Sequence, residues 1–324
     1  MALAACLLTA LVIVARTPKE PLKPETSPTP HQTQQQTPEQ TPQRTPDQTP
    51  QHTAEPIPSP TGHAPVQTPA FSLYNVPYGT DPAQKLDLHV PEGDGSKLPL
   101  IIFIHGGAWS AGDKSDVSPI AKFLADQGYA VINMNYRLLP DFSYPAPLED
   151  IQMVLQWAKQ HSEEYRIDTA RIGMSGHSAG GHLCSLYALT QDKNYIPSGN
   201  SLPKAYAIAP LAGGYTLEGI NITDPRREDT IMAWLQTAEP QSLGLPIYQA
   251  DSGDNVTFLL LHGALDVNAP PQQATLFCEA LRQGGVPVEL KIYPGRGHLT
   301  LVAGIPSKDA VAQDLVAFFN QNLK

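Results

Sequence analysis

Leu98-Pro99-Leu100-Ile101-Ile102-Phe103-Ile104 contains no charged or hydrogen-bonding side chain, and no other stretch constrains the fold of this chain as much. A strand with one wet face alternates apolar and polar residues, so a run that does not alternate is buried on both faces. A sheet covered on both faces needs helices on each side. The sequence supplies strands and helices in turn. Tyr129–Asn135, Arg171–Met174, Ala205–Ala209, Val256–Leu261 and Val288–Tyr293 read as further strands. A helix closes over Ala121–Gln127, and others are expected over Leu148–Gln160, Ala179–Leu189, Pro271–Arg282 and Lys308–Asn320. In the second of these, Ile151, Val154, Leu155 and Ala158 recur at helical spacing on one face. Lys85–Val90 does alternate and reads as an outer strand. The expected fold class is α/β: a mostly parallel central sheet with helices on both faces, built from residues 71–324. Gly213–Asp254 has weak periodicity and several Pro and Gly, and is the natural place for a small cap insertion.

The rest of the chain has a different composition. From Thr17 to Pro69 it is Pro, Thr and Gln, with Thr-Pro repeated at Thr37-Pro38, Thr41-Pro42, Thr45-Pro46 and Thr49-Pro50. Such a segment buries too little apolar surface to offset the cost of ordering its backbone, so residues 16–70 are expected to form a disordered, semi-stiff spacer. Met1–Ala15 is apolar except for Thr9. That length suits the core of a signal peptide or a clipped anchor and falls short of the roughly 20 residues of a membrane span. Leu3-Ala4-Ala5-Cys6 resembles a bacterial lipoprotein cleavage box. The expectation is an exported domain, periplasmic, envelope-anchored or secreted, held away from a surface by the spacer.

The formal net charge is -10, and no cluster of Lys and Arg marks a groove that would follow a phosphate backbone. Nucleic acid is therefore a poor partner, and a small neutral molecule a better one. Cys184 and Cys278 have no Cys-x-x-Cys or His spacing and read as buried thiols, not metal ligands.

Gly176-His177-Ser178-Ala179-Gly180 joins an apolar strand to a helix rich in Leu and Ala. In that context Gly-x-Ser-x-Gly places the serine on a tight turn at the carboxyl end of the sheet, where larger residues at the glycine positions would collide with strand and helix. A serine hydroxyl needs a base within hydrogen-bond reach, and the base needs a carboxylate to orient it. His298, in Pro294-Gly295-Arg296-Gly297-His298, follows the last strand and is the candidate base. Asp266, in His262-Gly263-Ala264-Leu265-Asp266, follows the strand before it and is the candidate acid, whereas Asp251 and Asp254 precede their strand. His105, His161, His177 and His182 are less well placed on the chain. His105-Gly106-Gly107-Ala108-Trp109 follows the apolar run, and the N–H groups of Gly107, Ala108 and Ala179 are the candidate oxyanion donors. Trp109 is a candidate wall of the substrate pocket. This chemistry calls for no metal and no organic cofactor.

His-Gly-Gly-x-Trp at 105–109, Asn135-Tyr136-Arg137-Leu138, Pro147-Leu148-Glu149-Asp150 and Gly176-His177-Ser178-Ala179-Gly180-Gly181-His182-Leu183 fall in order along the chain. Together they resemble the feruloyl-esterase-like and kynurenine-formamidase-like branch of the α/β-hydrolases, relatives of the hormone-sensitive lipase group. The likeness covers Asp81 to Asn320. It implies an α/β-hydrolase fold and a serine carboxylesterase with Ser178, Asp266 and His298 as its triad. Ala108 stands where the lipase group has a third glycine, and His177 where that group often has aspartate. Both departures point to the esterase and formamidase branch. An arylformamidase or amidase would use the same residues. From another class, a tethered non-catalytic binding domain would have no need of them.

Overall fold

In a computed structural model, residues 67–197, 201–218, 225–250 and 255–324 are described. The apolar segment 1–15 and the spacer as far as residue 66 lie outside the described residues, as do 219–224 and 251–254 of the expected cap. Among the described residues eight strands form one sheet: β1 (Phe71–Pro77), β2 (Lys85–Val90), β3 (Leu98–Ile104), β4 (Ala130–Met134), β5 (Ile167–His177), β6 (Ala207–Leu211), β7 (Thr257–Gly263) and β8 (Val288–Tyr293). Their order is β1-β2-β4-β3-β5-β6-β7-β8. The helices are α1 (Ser118–Asp126), α2 (Ala146–Gln160), α3 (Ala179–Thr190), α4 (Pro225–Leu235), α5 (Gln272–Gln283), the short α6 (Thr300–Ala303) and α7 (Ala310–Leu323).

The apolar run behaves as its composition requires. Leu100, Ile102 and Ile104 of β3 pack into a core with residues of α2, α3 and α5, while Ile101 and Phe103 pack on the opposite face with residues of α1 and α7. Each such fully buried side chain stabilises the fold by about 1.5–3 kcal/mol. The face of α2 expected to be apolar, with Ile151, Val154, Leu155 and Ala158, is completely buried. Strands β4, β3, β5, β6, β7 and β8 run parallel, and β1 and β2 are antiparallel to their neighbours. The carboxyl ends of the parallel strands therefore share one edge of the sheet. The loops after β3, β5, β7 and β8 converge there, as ligand sites in open α/β sheets do.

Three expectations need correction. Lys85–Val90 is not the outer strand: β1 pairs outside it, and every residue of β2 except Lys85 is buried. Its polar positions are hidden because they are paired, Asp87 with Lys114 at 2.9 Å and His89 with the Ser72 hydroxyl at 2.8 Å. β5 begins at Ile167, four residues before the expected start, because the polar Asp168-Thr169-Ala170-Arg171 segment masks the strand pattern. The cap carries an unexpected helix, α4, whose Ile231, Trp234 and Leu235 are buried at helical spacing. Cys184 and Cys278 are free, buried thiols as expected, and burial pushes the Cys184 thiol up to about 12.

Candidate active site

Ser178 stands between the last residue of β5 and the first of α3, with φ 56° and ψ -116°. Few non-glycine residues take a positive φ, so the turn is strained and needs its neighbours to hold it. They do so at close quarters. A Cβ on Gly180 would lie 2.1 Å from the Ile104 carbonyl oxygen, and one on Gly176 would lie 2.5 Å from the Gly180 carbonyl carbon. Glycine at both positions is what lets α3 start directly against β3. The Ser178 N–H donates to the Leu211 carbonyl of β6 at 2.9 Å, and the His182 N–H donates back to the Ser178 carbonyl at 2.9 Å.

The loop after β3 turns just as sharply. Gly107 has φ 119°, and a Cβ there would stand 1.9 Å from the Ala111 carbonyl oxygen. Ala108 and Trp109 follow with φ 51° and 57°. The Gly107 carbonyl is occupied by the Ser110 and Ala111 N–H groups at 3.1 and 3.0 Å. The N–H groups of Gly107 and Ala108 donate to no acceptor among the described residues, and that of Ala179 opens α3, where first-turn amides have no partner within the helix. Downstream, the Leu139 N–H donates to the Trp109 carbonyl at 2.9 Å. The stretch that carries Leu139 is pinned in turn, since Arg137 donates to Asp150 at 2.9 Å and to Glu149 at 2.7 Å. Two of the four sequence motifs thus brace the loop of a third.

His298 and Asp266 meet as expected. The Asp266 Oδ2 accepts from His298 Nδ1 at 2.7 Å, and its Oδ1 accepts from the Asn268 and Ala269 amides at 2.9 Å each. Their loops are zipped together by Leu265 N–H to the Arg296 carbonyl at 2.8 Å, and Arg296 is held by Asp309 at 2.7 Å. Burial alone would raise the Asp266 carboxyl, but donors from His262 and His298 and the Ala269 amide overcome it and hold the group well below the usual carboxylate range. Asp266 is therefore an anion at neutral pH, suited to steady a charged imidazole.

His262 carries a part that its place in the sequence did not disclose. It is fully buried, and its Nε2 lies 2.7 Å from the Ala269 carbonyl and 3.3 Å from Asp266 Oδ2. A histidine four residues before the candidate acid, at the end of β7, was the signal available. His177 has a comparable role at the elbow. Its Nε2 donates to the His298 carbonyl at 3.0 Å, with the two rings 4.7 Å apart, which couples the turn of Ser178 to the loop of the candidate base. The Ser178 and His298 side chains both line one cavity of about 770 Å³. No hydrogen bond joins the hydroxyl to the ring here, and such bonds are often long until substrate closes the site. Gly107, Ala108, Trp109 and Ala179 line the same cavity, whose remaining walls include Val117, Ile120, Ile231, Leu299 and Val302.

Four other histidines are held neutral. Burial, with the neighbouring His298, lowers His177 to about 4, and burial lowers His182 to about 4. Burial likewise lowers His89 and His105. In the unfolded chain each ring takes up its proton near 6.5, so below that value the unfolded state binds more protons and stability falls as pH falls, a window that reaches down to about 4 for His177 and His182. For His177 and His182 the loss amounts to roughly 3 kcal/mol each by the bottom of the window. Urea midpoints measured from pH 7 to pH 4.5 should decline steadily, and a flat profile would contradict neutral buried rings.

The BD-FAE family model matches residues 86–281. "Probable carboxylic ester hydrolase LipM" of Mycobacterium tuberculosis is 34% identical over 57% of this chain and 45% of its own length. "Esterase LipC" of the same organism is 30% identical over 68% of this chain and 58% of its own. The chain spans about half the length of these curated relatives. Among solved structures, esterase B from Lactobacillus rhamnosis superposes with a TM-score of 0.68 at 22% identity, over 80% of this chain and 88% of that one, a likeness of fold.

Proposed function

The chain belongs to the BD-FAE family, and from that premise we propose that residues 71–324 hydrolyse neutral carboxylic esters by two-step acyl transfer on Ser178. The observation that carries this reading is the buried Asp266 carboxylate bonded to His298 at 2.7 Å, with His298 lining the same cavity as the strained serine turn. His298, with Nδ1–H committed to Asp266, has Nε2 free to take the Ser178 proton as the hydroxyl attacks the carbonyl carbon. Asp266 then balances the imidazolium, and the N–H groups of Gly107, Ala108 and Ala179 receive the oxyanion. Each such donor is worth about 2.7–4 kcal/mol in the barrier. Collapse of the tetrahedral intermediate breaks the bond to the alcohol oxygen, which leaves with the proton from His298. Water, deprotonated by the same ring, attacks the acyl-enzyme and releases the acid.

The apolar walls, Val117, Ile120, Ile231, Leu299 and Val302, support a substrate with an uncharged, apolar part, and Trp109 contributes an aromatic edge to the same space. The names of the relatives support ester hydrolysis over amide chemistry. Purified protein should turn over p-nitrophenyl acetate, p-nitrophenyl butyrate or a methyl hydroxycinnamate well above N-formylkynurenine. Dominance of the last would make the protein a formamidase. Absence of a covalent fluorophosphonate adduct on Ser178 would sink the catalytic reading and leave a binding domain.

A further inference from the structure

We infer that His182 is a positioning residue for the oxyanion loop: its Nδ1 holds the Trp109 indole and thereby keeps the strained loop backbone in register with Ser178. The inference rests on the hydrolase reading of Ser178. Ala108 and Trp109 are consecutive residues with positive φ, a conformation that persists only where surrounding contacts over-determine it. The Trp109 carbonyl is held by Leu139, but the direction of the side chain is set elsewhere. The indole stacks on Trp234 of the cap helix at 5.3 Å and 12°, and its Nε1–H points to His182 Nδ1 at 3.3 Å. His182 meets the indole edge-on, with ring centroids 5.0 Å apart.

His182 suits the task because of where it is fixed. It lies in the first turn of α3, and its own N–H donates to the Ser178 carbonyl, so it moves with the nucleophile. Its side chain is almost wholly buried and is not part of the cavity wall. The Nε2 donates to the Gly244 carbonyl at 2.9 Å, which places the ring proton on Nε2 and leaves the Nδ1 lone pair to accept from the indole. Burial, which lowers its pKa to about 4, keeps the ring in that neutral form. One imidazole thus ties three parts together: α3 behind the nucleophile, the loop that supplies the Gly107 and Ala108 amides, and the cap at Gly244. Without an acceptor, the indole N–H is left to seek another partner, and the loop loses the contact that holds its backbone away from negative φ.

Two substitutions divide the two bonds. In His182→Gln the amide nitrogen reaches the Nε2 position and still donates to Gly244, but nothing stands where Nδ1 stood. In His182→Asn the amide oxygen occupies the Nδ1 position and accepts from Trp109, while the tie to Gly244 is lost. Each variant gives up one hydrogen bond, so their Tm values should be similar. On p-nitrophenyl butyrate, H182Q should lose kcat by ~10–100-fold with KM changed by less than ~3-fold, as expected when charge-stabilising donors are displaced. Inhibition by butylboronic acid, whose tetrahedral adduct on Ser178 fills the oxyanion hole, should weaken in proportion. H182N should recover most of both. Trp109→Phe, which keeps an aromatic ring against Trp234 and removes the indole N–H together with its five-membered ring, should show the same loss of kcat and of boronate affinity if either histidine variant folds poorly, with KM left out of that comparison because Trp109 lines the cavity. Equal kcat in H182Q and H182N, or a loss confined to KM or Tm, would overturn the inference. If wild-type protein hydrolyses no ester, or Ser178→Ala hydrolyses as fast, the hydrolase reading fails and the inference falls with it.

Discussion

Replacing Ser178 with alanine is expected to lower kcat/KM on any accepted ester by at least ~10⁴-fold, while Tm shifts by no more than about 2 °C. The two halves of this result have separate causes. Turnover is lost because the nucleophilic oxygen is gone, and what survives is the modest acceleration supplied by binding and the oxyanion donors alone. Stability is kept because the turn is held by its backbone, through Ser178 N–H to Leu211 and His182 N–H to the Ser178 carbonyl. Alanine keeps the Cβ and so retains the strain at φ 56°. The hydroxyl itself makes no hydrogen bond among the described residues, so its removal leaves no buried group unpaired. Glycine separates the effects further, since Ser178→Gly should be equally inactive while relieving the positive φ, so that its urea midpoint exceeds that of S178A. Activity retained in both variants would mean that the cavity works without this serine.

The parts of this site that were legible in the sequence share one property: each sits at the carboxyl end of a strand that its own composition reveals. The unbroken run of β3 leads into Gly106-Gly107, the strand before Ser178 leads into the elbow, and β7 and β8 lead into Asp266 and His298. Once the sheet is parallel, position along the chain translates into position in space, because those strand ends lie along one edge. What stayed hidden depends on pairing across the fold. β2 read as an outer strand because its polar residues, Asp87 and His89, are satisfied by Lys114 and by Ser72 of a strand that composition does not announce. α4 was obscured by the Pro and Gly around it, although Ile231, Trp234 and Leu235 carry the helical repeat. The contact of Trp109 with His182 and Trp234 draws one residue each from a loop, a buried helix and the cap. No local period encodes a meeting of that kind. His262 escaped for a related reason: its link to Asp266 exists only because the chain turns back after β7 to bring Ala269 alongside.

Asp266→Asn is the second substitution expected to act strongly, with kcat reduced by about 10³–10⁴-fold and KM nearly unchanged. The reason lies in the donors around the carboxylate. One oxygen receives two backbone amides, from Asn268 and Ala269, and the other receives His298 Nδ1 and lies 3.3 Å from His262 Nε2. An asparagine has one acceptor oxygen and one donor nitrogen. Placing the oxygen against the two amides satisfies both and turns the NH₂ toward His298. The ring must then accept at Nδ1 and carry its proton on Nε2, the atom that has to receive the Ser178 proton. The fold stays intact while the base is locked in the wrong tautomer. Labelling of Ser178 by a fluorophosphonate should slow to a similar degree, since that reaction uses the same proton transfer. The charge has a second consequence, in stability. The folded-state carboxyl titrates well below its unfolded value because of these donors, so its contribution is fully present above about pH 4 and disappears as pH falls through the folded value. Wild type should therefore lose more stability than D266N between pH 4 and pH 2. Equal acid sensitivity in the two proteins, together with unimpaired kcat in the variant, would remove Asp266 from the mechanism.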